Sequence, residues 1–354
     1  MKCVGKMLII INAVILFVLP ASCGIFLGPD PDDSPRGIFD IIWKDFNETY
    51  ALMEVKGIEW NAMYTKYASQ IYPGMGEQEL FDVCSGLLGE LHDPHVYLMS
   101  PFAYFNSGGR FDTSGIEPFS LNVIKSKLSS GGASTGESMF WYGKFTSSPN
   151  VGYIHISGFA KGNTGTAQSQ DWTRAIDDII NTLSGTKAII LDIRGNQGGL
   201  QSNVDYIAGR FAAEEKDYIE VRTKNGPGRQ DFSSPVTHKV IPARRRYTNP
   251  VVLITNAQTI SGGEWFTLAL RTQTHITHTG STTNGAFSLS LERPLINGWI
   301  YSVSVQKVTD TQGNCYERIG ISPPLGHKIP AQVNEATKQD AQLDHALSIT
   351  NAIP

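Results

Sequence analysis

Two stretches set glycine pairs, a hydroxyl nucleophile and charge at the ends of apolar runs. The first is Asp192-Ile193-Arg194-Gly195-Asn196-Gln197-Gly198-Gly199. Paired glycines let backbone N–H groups face a site with no Cβ in the way. Such groups can cradle an oxyanion. The same pair would also serve as a plain turn before a helix. The second stretch is Ile254-Thr255-Asn256-Ala257-Gln258-Thr259-Ile260-Ser261-Gly262-Gly263-Glu264. Ser261 at a helix start reads in two ways. It is an N-cap with Glu264 completing a capping box, or it is a nucleophile. In the second case developing negative charge would face the positive end of the helix dipole. The Gly262 N–H would then be a further oxyanion donor. The eight histidines and four cysteines show no His-x-x-x-His or Cys-x-x-Cys grouping, so no metal and no cofactor is expected.

Elements that could position these residues follow from periodicity. Ile38, Ile41, Ile42, Phe46 and Tyr50 recur at helical spacing, as do Trp60, Met63, Tyr64 and Tyr67. Leu80, Val83, Leu87, Leu88 and Leu91 mark a third helix. These place a helical domain at 36–99. Turn clusters such as Gly108-Gly109 and Ser129-Ser130-Gly131-Gly132 punctuate 100–150, with strand-like runs at Phe119–Ile124 and Met139–Tyr142. That segment reads as a β-rich connector. From 151 to 330 strands and helices alternate. Val151–Ile156, Lys187–Ile193 and Pro250–Thr255 read as strands, the last two as runs covered on both faces. Helices are expected around 172–183, 201–212 and 262–270, and 275–323 reads as β hairpins. Such alternation predicts an α/β layer with a substantially parallel sheet. Residues 331–354 close with a helix over 338–350.

Composition narrows the classes. Apolar residues make up 41% of the 354 and charged residues 18%, which excludes a disordered chain. Lys+Arg 29 against Asp+Glu 33 gives a net charge of −4, and Arg244-Arg245-Arg246 is the only dense basic run, so no nucleic-acid partner is expected. The N-terminus predicts export. Lys2 and Lys6 precede Met7–Leu19, an apolar run of 13 residues, too short for a membrane-spanning helix. Pro20-Ala21-Ser22-Cys23-Gly24 follows. This resembles a bacterial lipoprotein signal, which implies cleavage after residue 22 and acylation of Cys23. Residues 23–35 then form a Pro/Asp-rich tether. The expected place is the cell envelope, periplasmic or outer surface, with the lipid holding the chain on a membrane. Cys84 and Cys315 read as two buried free thiols.

The two motifs, in this order and about 60 residues apart, resemble the C-terminal processing (tail-specific) serine peptidases. Relatives of that family include the tricorn core protease and retinoid-binding repeats. The resemblance covers nearly all of 36–350. It implies a clp-protease/crotonase-like α/β spiral core and a nucleophile at Ser261. It also implies an oxyanion hole from Gly262 with Gly198 or Gly199. One branch of the family uses a lysine about 25 residues after the serine. Here Gly280-Ser281-Thr282-Thr283-Asn284-Gly285-Ala286 puts Ala286 at that place. The tricorn-like branch uses a histidine and a glutamate. Leu91-His92-Asp93-Pro94-His95 is similar to its Leu-x-Asp-x-His signature, and Glu317-Arg318-Ile319-Gly320-Ile321-Ser322-Pro323 to its Glu-x-x-Gly-Ile-x-Pro signature. The resemblance therefore implies His95 as base and Glu317 as the group behind it. Pro94 stands where the tricorn-like relay has a serine. An imidazole can take a serine proton near neutral pH, and a carboxylate can stabilise the imidazolium. Residues 101–150 are too few for the PDZ domain that many relatives insert. The expected activity is hydrolysis of peptide bonds in peptides or unfolded proteins. The alternatives are a non-catalytic binding protein for peptides or apolar ligands on the same scaffold and, disfavoured by export, an acyl-CoA-type enzyme.

Overall fold

The computed structural model describes residues 32–108, 117–160 and 172–354. The signal, Cys23 and most of the tether lie outside the described residues.

Four helices open the described residues: α1 (Pro35–Thr49), α2 (Met53–Lys56), α3 (Trp60–Ala68) and α4 (Glu77–Gly89). Ser34 caps α1 by accepting the Gly37 N–H at 3.1 Å, and Pro35 fills the first turn, where its missing N–H costs nothing. Ile38, Phe39, Ile42 and Phe46 form its buried stripe. Short strands β1 (Tyr97–Met99) and β2 (Tyr104–Asn106) follow. Helix α5 (Leu121–Lys127) replaces the strand expected at Phe119–Ile124. There Ser120 accepts the Val123 N–H, and Val123 and Ile124 both turn inward. Apolar neighbours in so short a run do not distinguish helix from strand.

The core sheet is built from β3 (Ala133–Thr135), β4 (Phe140–Lys144), β5 (Val151–Ile156), β6 (Ala188–Asp192), β9 (Val251–Thr255) and β10 (Ile276–Gly280). Helix α6 (Ala175–Leu183) precedes β6, and α7 (Gln201–Ala208) follows it. A hairpin, β7 (Lys216–Thr223) with β8 (Val236–Val240), comes before β9; α8 (Gly262–Arg271) links β9 to β10. The sheet order is β10-β9-β6-β5-β4-β3, with the first four strands mutually parallel and β4 antiparallel to both its neighbours. Ile189 and Leu191 of β6 pack with α6, α7 and α8, while Ile190 packs on the other face with α5 and the C-terminal helix. That two-sided burial explains the continuous apolar run.

The late segment is not a simple series of hairpins. Strand β10 runs parallel to β9. Strands β11 (Ser290–Pro294) and β12 (Ile300–Ser304) do form a hairpin, but β12 also pairs with β1, giving the sheet β11-β12-β1-β2. Strand β13 (Gln306–Thr309) pairs with β7. Helix α9 (Ala341–Ala352) closes the chain, capped by Asp340. Cys84 and Cys315 are both free, Cys84 buried and Cys315 half-buried. Among the described residues no helix is long and apolar enough to cross a membrane, and no group of three metal-ligating side chains occurs.

Candidate active site

Strand β9 ends at Thr255, and the chain turns through Asn256–Ile260 into α8 with Ser261 at the N-cap. Ser261 has φ 58° and ψ −120°, a conformation L residues rarely adopt. Its N–H donates to Ala286 O and to Glu264 Oε2, both at 3.1 Å. Half of the expected capping box forms: Glu264 accepts the Ser261 N–H, while the Ser261 hydroxyl makes no cap bond, which leaves the half-buried side chain at a cleft.

That cleft encloses about 210 Å³ and is lined by Ser261, Gly262, Gly199, His95, Trp265 and Phe287, among others. Three of the sequence-predicted regions therefore meet. The Asp192–Gly199 turn enters from the end of β6. Asp192 and Arg194 pair at 2.7 Å, fully buried, and Arg194 reaches Asp340 at 2.9 Å. Burial works to raise the Asp192 carboxyl, but the Arg194 guanidinium overrides it and holds it below the usual range. These two residues fix the turn.

Within the glycine pair the two N–H groups differ. The Gly198 N–H donates to Asn196 Oδ1 at 2.9 Å. That removes Gly198 from the pair of expected oxyanion donors. Gly199 bridges Phe159 in parallel fashion, with bonds from Phe159 N to Gly198 O and from Leu200 N to Phe159 O. In this pattern the Gly199 N–H points away from Phe159, and Gly199 lines the cleft. A Cβ on Gly262 would lie 3.1 Å from the Gly199 nitrogen, so the two backbones are in contact. Gly262, at the first turn of α8, has no intrahelical acceptor for its own N–H.

Behind Ser261, the fully buried Glu264 accepts four donors: Thr283 Oγ1 and Gly285 N at 2.6 Å, Ala286 N at 2.9 Å and Ser261 N at 3.1 Å. Burial pushes its carboxyl up to about 7 against those donors. Ala286, the residue that the resemblance sets at the lysine position of the other branch, is buried, and its carbonyl accepts the Ser261 N–H.

His95 comes from the turn between α4 and β1. Its N–H donates to Asp93 Oδ1 at 2.9 Å, and its carbonyl accepts the Ser302 hydroxyl of β12 at 2.5 Å. Glu317 does not line the cleft. It is buried behind Phe287, whose N–H it accepts at 2.9 Å, and its Oε1 lies 4.0 Å from Lys56 Nζ. Burial and the neighbouring Asp93 charge push Glu317 up to about 8, against Lys56 and the Phe287 N–H. The fully buried Asp93 takes hydroxyl bonds from Tyr50 at 2.8 Å and Ser304 at 2.9 Å. Burial opposes its charge, yet Lys56 and His95 hold its carboxyl below the usual range. Sequence reasoning did not single out Lys56 or Ser304, and read Tyr50 only as part of a helix face. Lys56 precedes Gly57 at a helix end, where a basic residue is unremarkable.

Residues 150–325 match the model of peptidase family S41, and residues 31–89 match the tricorn protease C1 domain. The chain belongs to peptidase family S41. It is 27% identical over 194 residues to the carboxy-terminal processing protease CtpB of Bacillus subtilis (strain 168), covering 55% of this chain and 37% of that protein. The chain thus matches little more than a third of that relative's length. A crystal structure from Parabacteroides merdae superposes with a TM-score of 0.78 at 24% identity, covering 91% of this chain and 98% of that one. Mature CPAF complexed with lactacystin gives 0.66 at 12% identity, covering 89% and 97%. The α/β core with an N-terminal helical region is the fold these chains share with S41 proteins, as the sequence predicted.

Proposed function

We propose that this chain is an exported serine peptidase that hydrolyses peptide bonds through an acyl-enzyme at Ser261. The observation that carries the reading is the meeting of Ser261, His95, Gly199 and Gly262 around one cleft. Ser261 Oγ attacks the scissile carbonyl carbon and His95 takes its proton. The carbonyl oxygen becomes an oxyanion facing the N–H groups of Gly199 and Gly262; one such donor is worth about 10²–10³ in rate. His95 then gives the proton to the leaving amine, and a water, activated by the same ring, releases the acyl group. Glu317 supports the base from the buried side, with Lys56 and Asp93 beside it. Ala286 leaves no lysine at the alternative base position. The substrate is a peptide or an unfolded protein segment.

A fluorophosphonate probe tests the reading. Ser261 is expected to label in folded protein, and Ser261→Ala and His95→Ala each to lose most turnover, with the double variant costing little more than either alone. A folded wild-type protein that neither labels nor cleaves a peptide library would instead be a binding protein on this scaffold. We further propose lipid anchoring through Cys23 in the cell envelope. Mass spectrometry of the mature N-terminus checks it; an unacylated terminus at another residue refutes the anchor.

A further inference from the structure

We infer that Lys56 is a positioning residue of this apparatus, its buried ammonium tying the turn that carries His95 to the loop that carries Glu317. The inference rests on the peptidase reading above. Lys56 ends a helix of four residues, and only 2% of its side chain is exposed. Its Nζ donates to the carbonyls of Leu91 at 3.3 Å and His92 at 3.2 Å. It lies 3.5 Å from Asp93 Oδ2 and 4.0 Å from Glu317 Oε1. Its own carbonyl accepts the Arg318 guanidinium at 3.0 Å. Desolvating an ammonium is costly unless it is paired, and apolar packing would serve stability as well. The acceptors are therefore the informative part. Three belong to the chain just before His95, and the fourth is the carboxylate expected to act behind His95.

The charge count gives the cation a second effect. Tyr50, Asp93, His95, Glu317 and Arg318 face this seam, Glu264 stands behind Ser261, and Cys315 adjoins Glu317. Two buried carboxylates share one buried ammonium. Asp93 has two hydroxyl donors and the His95 N–H, whereas Glu317 Oε1 has no hydrogen-bond donor. A proton held by the pair therefore resides on Glu317. Lys56 limits how firmly it is held, and so sets the pH at which Glu317 becomes a carboxylate able to support an imidazolium.

Two readouts test this. In Ser261→Ala protein, which needs no turnover, the Glu317 carboxyl is titrated by ¹³C NMR. Lys56→Met is expected to raise its midpoint by about one pH unit or more, a tenfold change in proton affinity. Adding Asp93→Asn is expected to bring the midpoint back. In the Ser261 enzyme, Lys56→Met is expected to move the acid limb of kcat/KM upward with the midpoint and to lower kcat about tenfold at neutral pH. KM should stay nearly constant. The Lys56→Met/Asp93→Asn pair should recover the limb, whereas losses from packing alone would add. Should Lys56→Met not fold, Lys56→Gln, which keeps a donor for the Leu91 and His92 carbonyls but no charge, carries the test, with the Glu317 midpoint expected to rise. A folded variant with an unmoved midpoint overturns the role of Lys56, whatever the activity. A midpoint that moves while the acid limb and kcat do not also overturns it. A midpoint that moves in the Ser261→Ala background, while folded wild-type protein neither labels nor cleaves, sinks the peptidase reading, and the positioning role with it.

Discussion

Ser261 holds a backbone conformation that a residue with a side chain occupies at a cost of about 1–3 kcal/mol. Two hydrogen bonds on its N–H and the start of α8 impose it. Glycine accepts such angles freely. Ser261→Gly is therefore expected to be more stable to urea than Ser261→Ala by about 1 kcal/mol, although both lack the proposed nucleophile. Equal midpoints would mean that no strain is stored there. Gly198 constrains the same atom from the other side. A Cβ there, at φ 74°, would lie 2.7 Å from Ser261 Cβ and from the Gly262 nitrogen. Gly198→Ala should displace the hydroxyl and one N–H of the proposed oxyanion pair. A misplacement near 1 Å costs about 10²-fold in rate. Probe labelling should slow in step, while a near wild-type rate would count against the assigned cleft. Ser261 and the glycine pair were legible in sequence because glycines and a hydroxyl residue at a helix start punctuate the chain. The choice between Gly198 and Gly199 was not. It depends on Asn196 folding back onto one N–H, a local bond that residue types do not dictate.

At the scale of elements, the buried strands and the helices between them were readable because a run covered on both faces must be apolar. The β7–β8 hairpin and its pairing with β13 were not, since their burial alternates only partly and their partner is distant in the chain. The turn ahead of α8 depends on a single carboxylate. Glu264 gathers Ser261, Thr283, Gly285 and Ala286 onto the first turn of α8. Glutamine in its place keeps one oxygen and turns an amide N–H₂ towards two donors. Each donor left unsatisfied costs about 1–3 kcal/mol, so Glu264→Gln should destabilise the fold and loosen Ser261. The pH dependence has a definite sign. A carboxyl raised from 4.5 to about 7 binds more protons in the folded state. Its contribution is fully present below the ordinary value and is lost as pH rises through 7. Unfolding free energies across that window should slope downward in the wild type, and less steeply in Glu264→Gln. An unchanged slope would assign the titration to another group.

The whole molecule is not a helical domain set beside a core. The aromatic interior of α1–α4 is completed by Leu295, Trp299, Tyr301, Val303 and Val305 from the late hairpin. Trp299 stacks edge-on against Phe81 at 5.4 Å, and Tyr301 reaches Asp45 at 2.7 Å. Strand β12 pairs with β1, the strand that follows His95. In sequence this hairpin looks like any alternating β segment, and which core receives its inward face is decided only in three dimensions. The consequence for the site is mechanical. His95 sits on a turn stapled to β12, and Glu317 lies on the loop soon after it, so the proposed base and its proposed support are carried by one interlocked body. Residues 36–99 expressed alone should remain largely unfolded by circular dichroism, because their core lacks its largest late contributors. In the full chain, Trp299→Ala should cost about 3–5 kcal/mol, the range for emptying a buried aromatic site. It should also lower peptidase activity without touching the cleft, and calorimetry should still record one transition. Two separated transitions, with the first removing the helices and leaving the α/β core intact, would refute the interlocking and place His95 on a separate unit.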